Sequence, residues 1–344
     1  MSGLPGSDAD HGSPGASRGV RIAVDAMGGE GAPGVEVEGA LAAVRESGGA
    51  LEVVLVGDRK VVETELESRD TAGLPVSVVN AEEVIGMHEA PAAAIRKKRR
   101  ASIVVAVELH KRGEVDGVVS AGNTGAVVAS SLLGLRVLGP VRRPGIASLF
   151  PTVRDPAVVI DVGASIDSRP TDLLTFAVMG EAYARHVLGR ERPRVGLVNI
   201  GEESTKGSEL TQSAHRLLAE SPLDFVGNVE GGNLLRGEAD VVVCDGFVGN
   251  VMLKLTEGII DVLAHVVGGD LAASGLGALA TQLDYAEYGG APLLGVDGVV
   301  IIAHGSSSPK AIKNAIRVAG RFVDVGLDKV ILERLQEVVG THGR

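Results

Sequence analysis

Nine short apolar runs recur along the chain, and each ends in a polar or glycine-rich turn before a segment with helical spacing. The runs are continuous rather than alternating, which is typical of strands covered by helices on both faces of a sheet. Their spacing of roughly 20 to 40 residues fits βα units with right-handed crossovers. The pattern predicts a doubly wound α/β fold with a mostly parallel sheet. The runs are RIAVDAMGG (21–29), LEVVLVGD (51–58), VSVVNA (76–81), VDGVVSAGNTGA (115–126), AVVIDVGA (157–164), RVGLVNIG (194–201), DFVGNVEG (224–231), ADVVVCDG (239–246) and GVVIIAHG (298–305).

In a sheet of this kind ligands bind beyond the carboxyl ends of the strands, so the residues after each run are candidates for binding. A single Asp there is commonly a helix N-cap, and a single Gly commonly only turns the chain. Their recurrence at strand ends favours a site more than any one of them does. The candidate substrate-binding residues are Asp25, Gly28, Gly29, Asn123, Thr124, Asp161, Asn199, Glu202, Asp245, Gly249, Ser306 and Ser307.

Two strand–loop–helix segments have features of an anion site. In HGSSSPKAIKNAI (304–316), Ser308 precedes Pro309, an order that fits an N-cap and a first helical residue. Free backbone N–H groups and the helix dipole attract phosphate or carboxylate at such a helix start. SAGNTGAVVAS (120–130) has the same form. Neither segment matches a nucleotide P-loop or the dinucleotide fingerprint, and spacing alone favours an ordinary capped helix in both.

Three polar loop residues are candidates for catalysis: Lys206, Asn250 and His304. They follow three different runs, and a mostly parallel sheet would place them at one edge. A lysine in mid-loop is, taken alone, usually only solvated. The chain has no GxSxG sequence, and Cys244 lies inside an apolar run, where a buried structural thiol is expected. If the chemistry is acyl transfer, the nucleophile is therefore expected to come from a substrate.

Composition narrows the class of protein. The 344 residues suffice for one large α/β domain or two smaller ones, and aromatics at 2% leave the core to Val, Ile, Leu and Ala. The net charge of -11 argues against nucleic acid as the main partner. One cysteine excludes an internal disulfide, and the scattered histidines form no metal-ligand cluster, so neither a metal nor another cofactor is expected.

The ends of the chain differ in character. Residues 1–19 are rich in Gly, Ser, Asp and Pro and predict a disordered leader, whereas residues 20–344 predict a single α/β domain. No apolar run reaches the length of about 18 residues that a membrane span needs. A cytoplasmic protein is expected.

Several segments occur together in one order: VDAMGGEGAPG, RKKRRASIVVAVEL, VVSAGNTGA, NIGEESTKG, DGFVGNVMLK and YGGAPLLGVDGVVIIAHGSS. With them the chain resembles the phosphate acyltransferases of bacterial phospholipid synthesis, the PlsX family, over roughly residues 20–340. The resemblance implies transfer of a fatty acyl group from acyl-[acyl-carrier-protein] to inorganic phosphate, giving acyl phosphate. It also implies a homodimer, a fold similar to that of isocitrate dehydrogenases and phosphate acetyltransferases, and a downstream glycerol-3-phosphate acyltransferase.

The implied reaction suits the candidate residues. Phosphate is already an anionic nucleophile, so the site must bind it beside a thioester and stabilise the tetrahedral oxyanion. Lys206, Asn250 and backbone N–H groups are suitable for that work, with the DGFVGN turn (245–250) forming part of the pocket. His304 would donate to phosphate or assist proton transfer to the leaving thiolate.

Three positions depart from the family pattern. Glu30 and Gly31 stand where Asp and His are usual, so any role of that histidine is absent or supplied elsewhere. Ser168 stands where a cysteine is frequent, which argues against a thiol role there. Arg100 and Ala101 replace a common Asp-Ser pair and make that segment more basic.

The basic run at residues 96–100 has two competing interpretations. The run Arg96, Lys97, Lys98, Arg99 and Arg100 is by itself typical of a solvated helix end. Under the resemblance it would steer the acidic carrier protein, or contact anionic lipid.

The apolar, Gly/Ala-rich segment at about 255–292 is typical of buried core or a dimer interface. Under the resemblance, an exposed helical tip at about 258–283 would instead insert shallowly into the inner face of the membrane.

Two other function classes stay open at this point. Fold analogy alone favours a dehydrogenase of the isocitrate type, which would bind nicotinamide. A non-catalytic carrier-protein or membrane scaffold would not release free carrier thiol in a phosphate-dependent way.

Overall fold

A central mixed sheet of eleven strands organises the protein, and the computed structural model describes residues 19–266 and 288–339. The strands within those ranges are β1 (Val20–Asp25), β2 (Leu51–Gly57), β3 (Val76–Asn80), β4 (Gly117–Ser120), β5 (Gly145–Phe150), β6 (Ala157–Ile160), β7 (Arg194–Val198), β8 (Asp224–Val229), β9 (Val241–Val243), β10 (Ala291–Leu294) and β11 (Val299–Ile302). The helices are α1 (Gly34–Glu46), α2 (Arg59–Glu67), α3 (Pro91–Lys97), α4 (Ser102–Lys111), α5 (Thr124–Gly134), α6 (Pro170–His186), α7 (Glu209–Glu220), α8 (Gly231–Leu235), α9 (Gly246–Val266), α10 (Pro309–Val325) and α11 (Leu327–Val339).

Two groups of parallel strands flank an antiparallel centre. The strand order is β3-β2-β1-β4-β11-β10-β5-β6-β9-β7-β8. The first five strands pair in parallel, and so do the last four. Between them, β10 and β5 pair antiparallel with each other and with their outer neighbours. Because three successive antiparallel pairings reverse the direction, the two parallel groups run in opposite senses.

The predicted fold class is confirmed: the sheet is mostly parallel, with helices on both faces, and each of the nine apolar runs contains all or most of a strand. The expectation that the candidate loops share one sheet edge is wrong. Asn250 follows β9 and His304 follows β11, and these two strands belong to groups of opposite direction.

Two apolar cores cover the sheet, one on each face. Alternate residues along a strand enter opposite cores, as Ile22 and Val24 do on one side and Ala23 does on the other. The first core holds the buried sides of α1, α6, α10 and α11. The second holds those of α4 and α5, together with half-buried residues of α9. Branched aliphatic residues and alanine make up most of both cores, as the low aromatic content leads us to expect.

Three predictions fall partly or wholly on residues outside the described ranges. They concern the leader at 1–19, of which only residue 19 is described, the membrane or dimer segment, of which residues 267–287 are not described, and the domain's last five residues. Among the helices that are described, none is both long and apolar enough to cross a membrane.

Candidate active site

The turn between β9 and α9 is fixed by the carboxylate of Asp245. Its Oδ1 accepts hydrogen bonds from the backbone N–H groups of Phe247 and Val248, each at 3.0 Å. Asp245 therefore caps the N-terminus of α9, in the manner that this residue type favours. This arrangement gives no support to the prediction that Asp245 binds substrate, because its Oδ1 accepts hydrogen bonds from the backbone of α9.

Two glycines let the start of α9 approach the loop after β6. A Cβ atom at Gly246 would lie against the carbonyl oxygen of Ser165, and one at Gly249 against the carbonyl oxygen of Asp161. Backbone atoms cannot give way as a flexible side chain can, so larger residues would push the helix outward. The close approach sets Asn250, which follows Gly249 as the fifth residue of α9, beside that loop.

The carboxylate of Asp161 organises the same loop from inside. It is fully buried, and both of its oxygens accept hydrogen bonds from backbone N–H groups. The donors, at 2.8 to 3.0 Å, are Ile146, Gly163, Ala164 and Ser165. Asp161 therefore ties the loop to the start of β5, and this positions the backbone around the site without facing a substrate.

A second buried carboxylate, Asp25, joins the loops after β1 and β4. The Ser120 hydroxyl donates to Asp25 Oδ2 at 2.7 Å. A Cβ at Gly28 would lie 2.6 Å from that oxygen, and one at Gly29 would meet the carboxylate of Glu36. Burial raises the pKa of Asp25 above its ordinary value, and burial raises the pKa of Glu36 to about 7. The glycine pair thus allows two acidic groups to pack under the loop.

Asn123 caps α5 and anchors a neighbouring loop. Its Oδ1 accepts a hydrogen bond from Ala126 N–H at 3.1 Å. Its Nδ2 donates to the carbonyl oxygen of Met87 at 2.8 Å and lies within hydrogen-bonding distance of two further carbonyls in the same loop. Both ends of the amide are used, so Asn123 acts by placing Thr124 at the start of α5.

One cleft brings several of these segments together and encloses about 340 Å³. We call its polar lining residues the rim, and they are Thr124, Ser148, Asn250, Lys254, Glu257, Tyr288 and His304, with Gly125 beside Thr124.

The apolar lining residues are what we call the floor of this cleft, which is named here the reaction cleft. They are Ile146, Leu149, Val162, Leu253, Ala291, Ile302 and Ala303. A ligand with one anionic and one aliphatic part matches both surfaces.

The rim is suited to an anion. Thr124 and Gly125 are the first residues of α5, so their backbone N–H groups have no intrahelical acceptor and lie at the positive end of the helix dipole. Lys254 Nζ lies 2.8 Å from Glu257 Oε2 in an exposed pair. His304 Nδ1 lies 2.8 Å from the hydroxyl oxygen of Ser306. Backbone donors, an ammonium and an imidazole thus line the same space, together with the carboxylate of Glu257 that pairs with Lys254.

Two of the three catalytic candidates lie at the reaction cleft. Asn250 and His304 line the reaction cleft, whereas Lys206 is exposed in the loop after β7 and does not line it. Among the described residues that line the cleft, Lys254 carries the ammonium group, and sequence reasoning did not select it. The sequence feature that could have identified Lys254 is its spacing of four residues from Asn250, because this spacing places both side chains on the same face of a helix.

Most of the substrate-binding candidates support their own loops. Asn199 accepts a hydrogen bond from Ile200 N–H at 2.9 Å and donates to the Lys206 carbonyl at 3.1 Å. Glu202 Oε1 accepts from Asn233 Nδ2 at 2.7 Å. Of these candidates, only Thr124 lines the reaction cleft directly.

The segment that begins at His304 behaves as its sequence predicts. Ser308 accepts a hydrogen bond from Ala311 N–H at 3.3 Å, and Pro309 is the first residue of α10. Ser306 contacts His304, while Ser307 is buried and its hydroxyl has no partner within the described part of the chain.

Cys244 is a buried structural thiol, as its position in an apolar run predicts. It is 3% exposed, and its Sγ donates to the Asp161 carbonyl oxygen at 3.4 Å. Burial raises its pKa well above the ordinary value, so the reactive thiolate is disfavoured. Residues 19–266 and 288–339 also contain no group of side chains arranged to hold a metal ion.

Comparison with known proteins identifies the family. A family model described as a fatty acid synthesis protein matches residues 20–329. The phosphate acyltransferase of Geobacter sulfurreducens is 46% identical over 329 residues, which cover 92% of this chain and 94% of that protein. The phosphate acyltransferase of Desulforamulus reducens is 49% identical over 334 residues, covering 94% and 99%. The chain belongs to the phosphate acyltransferase family.

The family confirms the resemblance seen in the sequence motifs and makes the protein an acyltransferase enzyme. The dehydrogenase and the non-catalytic scaffold are thereby removed from the alternatives. Phosphate acyl transfer is the general reaction that the family supports.

Solved structures show the fold. A phosphotransacetylase from Streptococcus pyogenes matches with a TM-score of 0.60 at 17% identity, covering 90% of this chain and 95% of that chain. A 4-hydroxythreonine-4-phosphate dehydrogenase from Klebsiella pneumoniae matches with a TM-score of 0.52 at 15% identity, covering 90% and 99%. These likenesses confirm the predicted isocitrate dehydrogenase-like fold.

Proposed function

We propose that the enzyme transfers a fatty acyl group from acyl-[acyl-carrier-protein] to inorganic phosphate by direct attack of phosphate on the thioester. The observation that supports this most strongly is the reaction cleft itself, which places the start of α5, Lys254 and His304 beside an apolar floor. Cys244 is buried, and no acyl-enzyme is needed because phosphate is a nucleophile in its own right.

Phosphate binds at the start of α5, with Lys254 balancing its charge. One of its oxygens attacks the thioester carbon, so that a C–O bond forms and the carbonyl oxygen becomes an oxyanion. The Asn250 amide donates a hydrogen bond to that oxyanion, which stabilises the transition state more than the ground state. Lys254 thus takes the cationic role that sequence reasoning gave to Lys206.

Collapse of the intermediate breaks the C–S bond and releases the carrier thiolate. The proton that hydrogen phosphate loses in forming acyl phosphate passes through His304 to the sulfur, so charge and protons balance. Asp25, Asn123, Asp161 and Asp245 hold the loops that present these groups.

The enzyme acts as a homodimer in this proposal. Exposed apolar side chains recur along one stripe of α9, and burying such a stripe is strongly favourable. The residues are Phe247, Val251, Leu255, Ile259 and Val262. Sedimentation of a Val251→Asp/Leu255→Asp variant should show monomers. If that variant instead remains a dimer and loses binding to anionic vesicles, the stripe contacts membrane.

The reaction is tested with purified enzyme and acyl-[acyl-carrier-protein], with and without phosphate. We expect acyl phosphate, trapped by hydroxylamine as a hydroxamate, together with one free carrier thiol for each acyl group transferred. Thiol release at the same rate without phosphate, or a covalent acyl-enzyme on any side chain, would refute the direct mechanism.

A further inference from the structure

A second groove lies between α3, α4 and α5 and encloses about 710 Å³. It has no lining residue in common with the reaction cleft. Its aliphatic lining residues are Val79, Ile95, Val104, Val105, Val107, Leu109 and Leu133. Its charged lining residues, called here its rim, are the basic Arg96, Arg99, Lys111 and Arg112 and the acidic Glu108. We call it the basic groove.

The structure divides the basic run at 96–100 into two sets. Lys98 donates to the Val84 carbonyl at 2.7 Å and pairs with Glu89, so its charge is engaged. Arg100 pairs with Glu82 at 2.8 Å. These two residues hold the loop before α3.

Arg96 and Arg99 instead line the basic groove, and within the described residues neither is paired with a carboxylate. Lys111 and Arg112 share Glu108, at 3.9 Å and 3.1 Å. Arg96 and Arg99 are therefore the main source of positive potential at this rim.

A further feature indicates that the groove receives a partner. Leu133 lines it with 69% of its surface exposed, which is unusual for a large apolar side chain beside a cavity. An amphipathic helix with acidic flanks would cover the leucine and offer acceptors to the arginines.

The groove lies close to the reaction cleft along α3. Pro91 begins α3 and packs against Gly125, since a Cβ at Gly125 would lie 2.6 Å from Pro91 Cγ. Arg96 follows five residues later, which is about 8 Å along the helix axis. A carrier seated in the groove therefore holds its prosthetic arm near the rim of the cleft.

We propose that an acidic helix of the acyl-carrier partner docks in the basic groove, with Arg96 and Arg99 as its charge contacts. The inference rests on the proposed function. It follows from charge complementarity, because an enzyme with a net charge of -11 can receive an acidic protein only where its local potential is positive.

The test compares an Arg96→Glu/Arg99→Glu variant with a Lys60→Glu/Lys329→Glu control. The control makes the same change in charge at exposed lysines that line neither the groove nor the cleft. We expect KM for acyl-carrier protein to rise on the order of tenfold or more in the groove variant at low salt, with kcat nearly unchanged. High salt should raise KM of the unmodified enzyme towards the same value.

Two measurements separate docking from chemistry. Acyl-pantetheine carries the thioester without the carrier protein, so its turnover should be altered little by the groove variant. Fluorescence anisotropy of labelled holo-carrier protein reports binding without any reaction, and binding should weaken in the groove variant and in Leu133→Ser but not in the control. Lys97→Glu distinguishes the groove from the whole basic run, because Lys97 is exposed but does not line the groove.

Several results would overturn the docking site. If the groove variant still binds the carrier protein with unchanged affinity, the docking site is refuted, while the proposed function is not. An equal effect of Lys97→Glu assigns steering to the run as a whole. Loss of sedimentation with phosphatidylglycerol vesicles at unchanged KM for the carrier assigns the groove to lipid. An unmodified enzyme that neither binds nor turns over the carrier refutes both the docking site and the proposed donor.

Discussion

Glu36 gives the protein a pH-dependent stability that can be worked out from its surroundings. It lies in the first turn of α1 and is 1% exposed, and its Oε2 has no hydrogen-bond partner within the described residues. Burial raises its pKa from 4.5 to about 7, and the nearby charge of Asp25 contributes in the same direction. The ionised form is therefore disfavoured in the folded protein.

The sign and size follow from linkage. Between pH 4.5 and pH 7 the folded protein holds a proton on Glu36 that the unfolded chain has lost, so the free energy of unfolding falls as pH rises through this window. At 1.36 kcal/mol for each unit of pKa, the full loss is about 3 kcal/mol. Between pH 5 and pH 8 the change is on the order of 2 to 3 kcal/mol.

The assay is urea unfolding of the unmodified protein and Glu36→Gln at pH 5 and pH 8. Glutamine cannot titrate, and the cost of its unpaired amide is the same at both pH values, so it cancels in the difference. From pH 5 to pH 8, we expect the free energy of unfolding to fall less in Glu36→Gln than in the unmodified protein, by on the order of 2 to 3 kcal/mol. Glu38→Gln, at an exposed position of the same helix, serves as the control. Equal pH dependence in Glu36→Gln and the unmodified protein would show that Glu36 ionises normally in the fold.

Further predictions concern the reaction cleft. Asn250→Ala should lower kcat by on the order of 10²-fold with folding intact, as expected for loss of an oxyanion donor; near-normal turnover would remove it from the site. Lys254→Ala should raise the phosphate KM at least tenfold, by loss of charge balance, whereas Lys206→Ala should change it little; the reverse order would restore the assignment made from sequence. Cys244→Ser should keep most activity in the hydroxamate assay, and its inactivation would implicate the thiol. Gly249→Ala should destabilise the protein by more than about 1 kcal/mol, because the added Cβ meets the backbone of the adjacent loop; an unchanged urea midpoint would show that the loop yields.

The parts of the fold that were predictable are those with continuous apolar runs. Each such run became a strand because a strand buried on both faces requires apolar residues at every position. β5 and β10 were missed because they carry other signals. β5 is flanked by Pro144 and Pro151, and β10 is four residues long and contains Pro292, which single-sequence reasoning assigns to loops.

The site was predictable to the level of loops but not of side chains. Residue types after strands identified Asn250, His304 and Thr124, which line the reaction cleft. The same rule selected Asp161 and Asp245, whose carboxylates bond to backbone N–H groups. An Asp that caps a helix and an Asp that binds a substrate look alike in sequence, and only the position of the nearest donors distinguishes them.

The two strands missed by sequence reasoning are those that create the reaction cleft. Ala147 of β5 lies opposite Ile160 at the end of β6, and Ile146 lies opposite Leu293 of β10, whose first residue pairs with the end of β11. The last strand of each parallel group therefore ends near the middle of β5. In the strand order, β4, which precedes α5, lies on one side of β5, and β9, which precedes α9, lies on the other. The stretch from Ile146 to Leu149 that floors the cleft spans about 10 Å. An anion held at the start of α5 can thus meet a thioester carbonyl beside Asn250, whereas a wholly parallel sheet would place both helix starts along one edge.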